Sequence, residues 1–150
     1  MTEHNKVTIA FGCDHAGFDA KEEIMEFLAK DSLITVMDFG TDSPDSVDYP
    51  DFVHPVAKAV NEGVADWGIL CCGTGNGVSM TANKYEKIRA AVCWQPALAS
   101  LARQHNNANI ICLPVRFIQK GEAAEMVKAF ALGTFEGGRH ARRVHKITAC

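Results

Sequence analysis

Apolar residues come along this chain in short unbroken runs, separated by stretches in which they recur every third or fourth position. Val7–Phe11 and Ile34–Phe39 are runs of apolar and β-branched residues, the second closed by Gly40, and each reads as a buried strand. Between them, residues 17–30 place Ile24, Phe27 and Leu28 at i, i+3 and i+4, one face of a helix. Pro50 suits the first turn of a second helix, whose Val53, Val56, Ala57 and Val60 form one stripe. Gly68–Cys72 is the third strand, and a helix follows from about Gly75 to Lys84. Ile88–Cys93 reads as strand four, and Pro96 opens a helix carrying Leu98, Leu101 and Ala102. Asn109–Leu113 is strand five; the helix from about Gly121 carries Ala123, Met126, Val127 and Phe130 at helical spacing. Gly137-Gly138 then breaks the chain before a basic segment, Arg139 to Lys146.

Strands that are apolar along their whole length, rather than alternating, are covered on both faces. With helices between them, they imply an α/β protein: a three-layer α/β/α sandwich, Rossmann-like, around a five-stranded parallel sheet. The chain has no internal repeat, low-complexity tract or linker, so residues 1–150 read as one domain. Sheets of this kind bind ligands outside the carboxyl ends of their strands. That rule selects Asp14-His15, Cys72–Gly77 and Cys93-Trp94.

Composition narrows the partners. A net charge of −3 lacks the basic footprint of a nucleic-acid-binding domain. Met1–Lys6 has no apolar targeting core, and no stretch approaches the length of a membrane span. The expectation is a cytoplasmic protein with neither nucleic acid nor membrane as partner. The six cysteines, at 13, 71, 72, 93, 112 and 150, form no C-x-x-C pair, so no metal motif is signalled. In a reducing compartment they are expected as free thiols, most of them acting as small buried apolar residues.

Cys72 is set apart by the glycine-rich run directly after it, Gly73-Thr74-Gly75-Asn76-Gly77. Such glycines allow backbone N–H groups to approach a ligand, and a helix N-terminus adds partial positive charge. A thiol there stands beside a cradle for negative charge, an arrangement that favours thiolate chemistry. The dinucleotide fingerprint G-x-G-x-x-G fails, because its last glycine falls on Val78 and no acidic residue ends the next strand. The Gly-Lys-Ser/Thr ending of a Walker loop is absent. The plain alternative is a tight turn that merely needs glycine. Asp14-His15 fits ligand hydroxyls or a phosphate, and equally a helix cap. His105 and Asn106 end a helix, where a histidine by default meets the last carbonyls but is also suited to proton transfer. Arg139 and Arg143, at i and i+4, put two guanidiniums on one helix face, which fits a phosphate dianion or a solvated basic tail. His4, His54 and His145 show no partner pattern and read as surface or packing residues.

Taken in order, Ile9–Gly17, Val47-Asp-Tyr-Pro50, Gly68–Gly77, Ala82-Asn-Lys84, Arg103-Gln-His-Asn106 and Glu136-Gly-Gly-Arg-His140 with Arg143 resemble the ribose-5-phosphate isomerase type B family, which includes galactose-6-phosphate and allose-6-phosphate isomerases. The resemblance covers nearly the whole chain. It implies an aldose–ketose isomerase that interconverts ribose 5-phosphate and ribulose 5-phosphate without a metal or other cofactor. It places the catalytic base on Cys72 rather than Cys71, and ring opening on His105 assisted by Thr74. Substrate-binding positions fall on Asp14, His15, Tyr49, Gly73, Gly75, Asn76, Gly77, Asn106, Arg116, Arg139 and Arg143. It further implies a homodimer whose active sites are each completed by the other subunit, with the segment from about 136 to 150 at the interface, and a dimer of dimers as the next assembly to consider. Asn76 replaces a usual aliphatic residue, and Pro114-Val115 a glycine-containing pair. These departures bear on which sugar phosphate is bound. A six-carbon sugar phosphate, or binding without catalysis, are the alternatives.

Overall fold

A computed structural model describes residues 5–148; the readings placed on His4 and Cys150 lie outside them. The strands are β1 (Val7–Cys13), β2 (Ile34–Asp38), β3 (Trp67–Cys72), β4 (Ala90–Val92) and β5 (Ile110–Pro114). The helices are α1 (Phe18–Ala29), α2 (Tyr49–Asn61), α3 (Asn76–Ala82), α4 (Pro96–Asn106), α5 (Glu122–Leu132) and α6 (Arg139–His145), with a 3-10 turn at Val115–Phe117. All five strands are parallel, in the order β2-β1-β3-β5-β4.

Two apolar layers sandwich the sheet. On one face Ile9, Phe11, Cys13, Ile69, Cys71, Ile111 and Leu113 pack with Ile24 and Leu28 of α1, Ala99 of α4, and Met126, Val127 and Phe130 of α5. On the other, Ala10, Leu70, Cys72, Ile110 and Cys112 meet Val53, Val56 and Val60 of α2 and Val78 and Ala82 of α3. Strand alternation therefore sends neighbouring Cys71 and Cys72 to opposite layers. Every residue of β3 is buried, as expected for the central strand.

The chain leaves β1 toward one layer, into α1, and leaves β3 toward the other, into α3. Because β1 and β3 are neighbours, the connections leaving their carboxyl ends diverge and leave a crevice, the place where such sheets take ligands.

The fourth strand is shorter than the expected 88–93. Ile88 N–H turns back to Tyr85 O, and the Asn83 side chain takes the outer edge of β4 by bonding both Ala90 N–H (2.8 Å) and Ala90 O (3.0 Å). The helix expected over 75–84 likewise closes at Ala82, which frees Asn83 to cover that edge.

Candidate functional site

The crevice is lined by short connections that force backbone into close approach. Gly17 lies against β3: a Cβ there would sit 2.3 Å from Cys71 O. The same contact brings Asp14 N–H to Cys71 O at 3.3 Å, while Asp14 Oδ1 accepts Gly17 N–H at 2.9 Å. One oxygen of this side chain, 6% exposed, is thus spent on the turn ahead of α1. The cap of the helix itself is Gly17, without a side-chain cap bond, so Asp14 is not the helix cap that was its plain alternative. His15, beside it, accepts Val47 N–H on Nδ1 at 3.1 Å.

Cys72 ends β3 at 5% exposure, and its Sγ accepts Gly75 N–H at 3.0 Å. Gly75 sits at φ 76° as the cap of α3, a backbone state open to glycine at no steric cost. Asn76 N–H donates to Thr74 Oγ1 at 3.2 Å, leaving that hydroxyl exposed at the loop tip. Two of the loop N–H groups therefore serve the thiol and hydroxyl of the loop itself. Arg116 N–H bonds Gly73 O at 3.1 Å, and its side chain lies over Gly73. Tyr49 lies over Gly77, where a Cβ would come within 2.5 Å of the ring. A groove of about 810 Å³ opens beside His15 and Arg116, between α1 and the chain leading into α5.

Burial governs the other four described cysteines. Burial pushes Cys13 and Cys93 up to about 11, and Cys71 and Cys112 well above the ordinary thiol value. They are apolar filler, held as thiols. Cys72 is the one whose sulfur receives a loop amide.

His105 and Asn106 are not in this crevice. They close α4, and Asn107, at φ 47°, turns the chain into the amino end of β5. Their edge of the sheet is separated from the Cys72 edge by the length of β5: Ile110–Pro114 is four residue steps, roughly 13 Å at ~3.3 Å each. There Glu136 N–H bonds Gln104 O at 3.0 Å, which ties the chain ahead of α6 onto the end of α4. Glu136 Oε2 stands 3.5 Å from His105 Nε2 and 3.6 Å from His140 Nε2. The two imidazoles stack with centroids 4.2 Å apart and planes 9° from parallel. Burial lowers the His140 pKa, with His105, Arg139 and Arg143 pushing the same way and Glu136 opposing. Arg139 and Arg143 extend from α6 at this edge, exposed. The proposed site residues thus fall into two groups at opposite ends of the sheet: Asp14, His15, Tyr49, Cys72–Gly77 and Arg116 at one, His105, Asn106, Arg139 and Arg143 at the other.

A family model described as Ribose/Galactose Isomerase matches residues 9–147. The chain belongs to that family. It is 47% identical over 141 residues to the ribose-5-phosphate isomerase B of Escherichia coli, covering 94% of each chain. A ribose 5-phosphate isomerase structure from Thermotoga maritima superposes with a TM-score of 0.92 at 48% identity, over 96% of this chain and 99% of that one. The ribose-5-phosphate isomerase B of Mycoplasma genitalium, solved with bound ribulose-5-phosphate, gives 0.91 at 42% identity over 97% of both chains.

In this ribose/galactose isomerase family member, spacing arguments left Glu136 and His140 without a role, although their i, i+4 relation was a visible signal. The trio of His105, Glu136 and His140 has the donor types of a metal site. Its geometry does not fit one. A metal must lie in the plane of each ligating ring, and two nearly parallel planes 4.2 Å apart do not converge on one ion. The arrangement is a pair of stacked rings sharing one carboxylate. Lys21 is the other residue not singled out by sequence. Its Nζ meets Asp38 at 2.8 Å and Asp42 at 3.1 Å; burial works against its charge, but these carboxylates prevail and raise its pKa. No helix among the described residues is long and apolar enough to cross a membrane.

Proposed function

We propose that this chain is an aldose–ketose isomerase acting on ribose 5-phosphate and ribulose 5-phosphate, working in the cytoplasm as a homodimer. The observation that carries the reading is Cys72: a thiol at the ligand-binding edge of the sheet, its sulfur bonded by a loop amide, in a chain 47% identical to a ribose-5-phosphate isomerase B. The free thiols at all five described cysteines fit a reducing compartment.

The two-ended arrangement supports a site shared between chains. Cys72 and its loop supply one half, and His105, Arg139 and Arg143 of the partner subunit supply the other. His105 of the partner subunit, with Thr74, moves a proton from the anomeric hydroxyl to the ring oxygen, opening the furanose. Cys72 as thiolate then takes the C2 proton; the freed pair forms the C1=C2 double bond and the carbonyl pair moves onto O1, giving the enediolate. The O2 proton then passes to O1, the C2 proton returns to C1, and the carbonyl stands at C2. Charge developing on the enediolate oxygens is met by loop N–H donors. Arginine forks hold the phosphate, so binding energy is gained away from the reacting carbons. Asp14, His15 and Tyr49, with Asn106 of the partner subunit, address the sugar hydroxyls.

The family description also covers galactose, and Asn76 puts a polar side chain at the loop. A six-carbon sugar phosphate is therefore the second reading. Isomerisation of ribose 5-phosphate, allose 6-phosphate and galactose 6-phosphate, followed side by side, separates the two. Binding of all three without turnover would leave a sensor and overturn the enzyme reading.

A further inference from the structure

Residues 39–48, between β2 and α2, form neither helix nor strand, yet they are fastened at both ends. Phe39 and Thr41 N–H groups donate to Phe11 O at 2.8 Å and Cys13 O at 3.0 Å, prolonging the pairing with β1 beyond the end of β2. Lys21 reaches across from α1, its Nζ lying 2.8 Å from Asp38 Oδ2 and 3.1 Å from both Thr41 O and Asp42 Oδ1. An ammonium has three donors, so this one commits its whole capacity to the last residue of β2 and the start of the segment. Its side chain is only 13% exposed. At the far end, Val47 N–H donates to His15 Nδ1 at 3.1 Å, just before Tyr49 begins α2.

That last bond carries chemical information. A ring nitrogen that accepts an N–H bears no proton, so a neutral His15 has its proton on Nε2. Adding a second proton would set Nδ1–H against Val47 N–H. We infer that residues 41–47, anchored by Lys21, are a strap that locks His15 as the Nε2–H tautomer, so that it meets the ligand as a fixed hydrogen-bond donor. Lys21 is a positioning residue acting through Val47. The inference deepens the sugar-phosphate reading and rests on it, since a fixed donor is useful beside an oxygen-rich ligand. It assigns phosphate charge to the arginines and leaves His15 to select for an acceptor oxygen at one place.

The test is nitrogen-15 NMR of the full chain, reading the imidazole tautomer from long-range proton couplings, with His15 identified by comparison with H15N. The wild-type ring should show one neutral form protonated at Nε2. V47P deletes the amide donor and should yield mixed tautomers, whereas V47A keeps the amide and should keep the single form. K21M should move the signature in the same direction as V47P, and K21R should restore it. In V47P the KM for ribose 5-phosphate should rise about tenfold with kcat changed less, the scale of one hydrogen bond to a charged or strongly polar ligand. An Nδ1–H ring in the wild type overturns the inference, as does a wild-type signature in both V47P and K21M. If V47P does not fold, K21M and the wild-type spectrum still decide. A chain that shows the lock but turns over no sugar phosphate removes the isomerase reading and leaves the strap; turnover without the lock does the reverse.

Discussion

The two ends of the sheet carry chemistry in different materials. At the carboxyl edge the crevice is built largely from backbone: Gly17 against Cys71 O, Gly75 N–H on the Cys72 sulfur, and Gly73 and Gly77 lying flat under Arg116 and Tyr49. At the amino edge the functional groups are side chains on helix ends, the stacked His105 and His140 around Glu136 and the exposed Arg139 and Arg143. Backbone donors are fixed by the fold and cost no reorganisation when charge develops. Long charged side chains adapt and suit a phosphate that must enter and leave. In the proposed dimer, the reaction's rigid and compliant requirements are met by separate parts of one chain, which a second copy brings together.

This division of labour is tested most severely at the two adjacent cysteines. Cys72→Ala should lower turnover by ~10²–10⁴, the usual worth of a positioned general base, while Cys71→Ala should stay active. A dead Cys71→Ala beside an active Cys72→Ala would reverse the assignment. Next comes the pairing of the ends. Mixing Cys72→Ala and His105→Ala chains under exchanging conditions should recover roughly a quarter of wild-type activity, because half of the random dimers are mixed and each holds one intact site. No recovery would mean that each chain closes its own site.

Arg139→Ala should raise KM by ~10–100-fold, the scale of a charge-assisted hydrogen bond, with little change in kcat or melting temperature. A comparable fall in kcat would move Arg139 into the chemical step. The smallest effect concerns His140. Its folded pKa lies below the ordinary histidine value, so the unfolded chain takes the proton first and stability rises with pH. The contribution is present above about pH 6.5 and is lost as pH falls through the lowered folded value. Calorimetric melting between about pH 7.5 and about pH 5 should therefore fall less in His140→Gln than in wild type. An equal fall would place the acid sensitivity elsewhere.

Most of the carboxyl edge was legible in the sequence, because an apolar run followed by a glycine-rich turn specifies both a strand end and the chemistry that stands there. Asp14, Cys72 and the 73–77 loop come together as the parallel-sheet rule requires. β4 was overdrawn because the edge-covering bond from Asn83 to Ala90 depends on packing between α3 and the sheet, which periodicity does not report. Glu136 and His140 escaped assignment because their meeting with His105 joins the chain after α5 to the end of α4. Lys21 reads as an ordinary polar position on α1; only the folded chain reveals three acceptors within reach of it. Val47 carries no side-chain signal at all, since its part is played by an amide.

Under the proposed dimer, the roughly 13 Å along β5 between the two edges has a consequence for dosage. With a site shared between two chains, a solitary chain holds two useless halves, and working sites appear only by mass action. Below the dissociation constant of the dimer, turnover per chain falls in proportion to chain concentration. Expression level then sets not only how many sites a cell owns but what fraction of them exists.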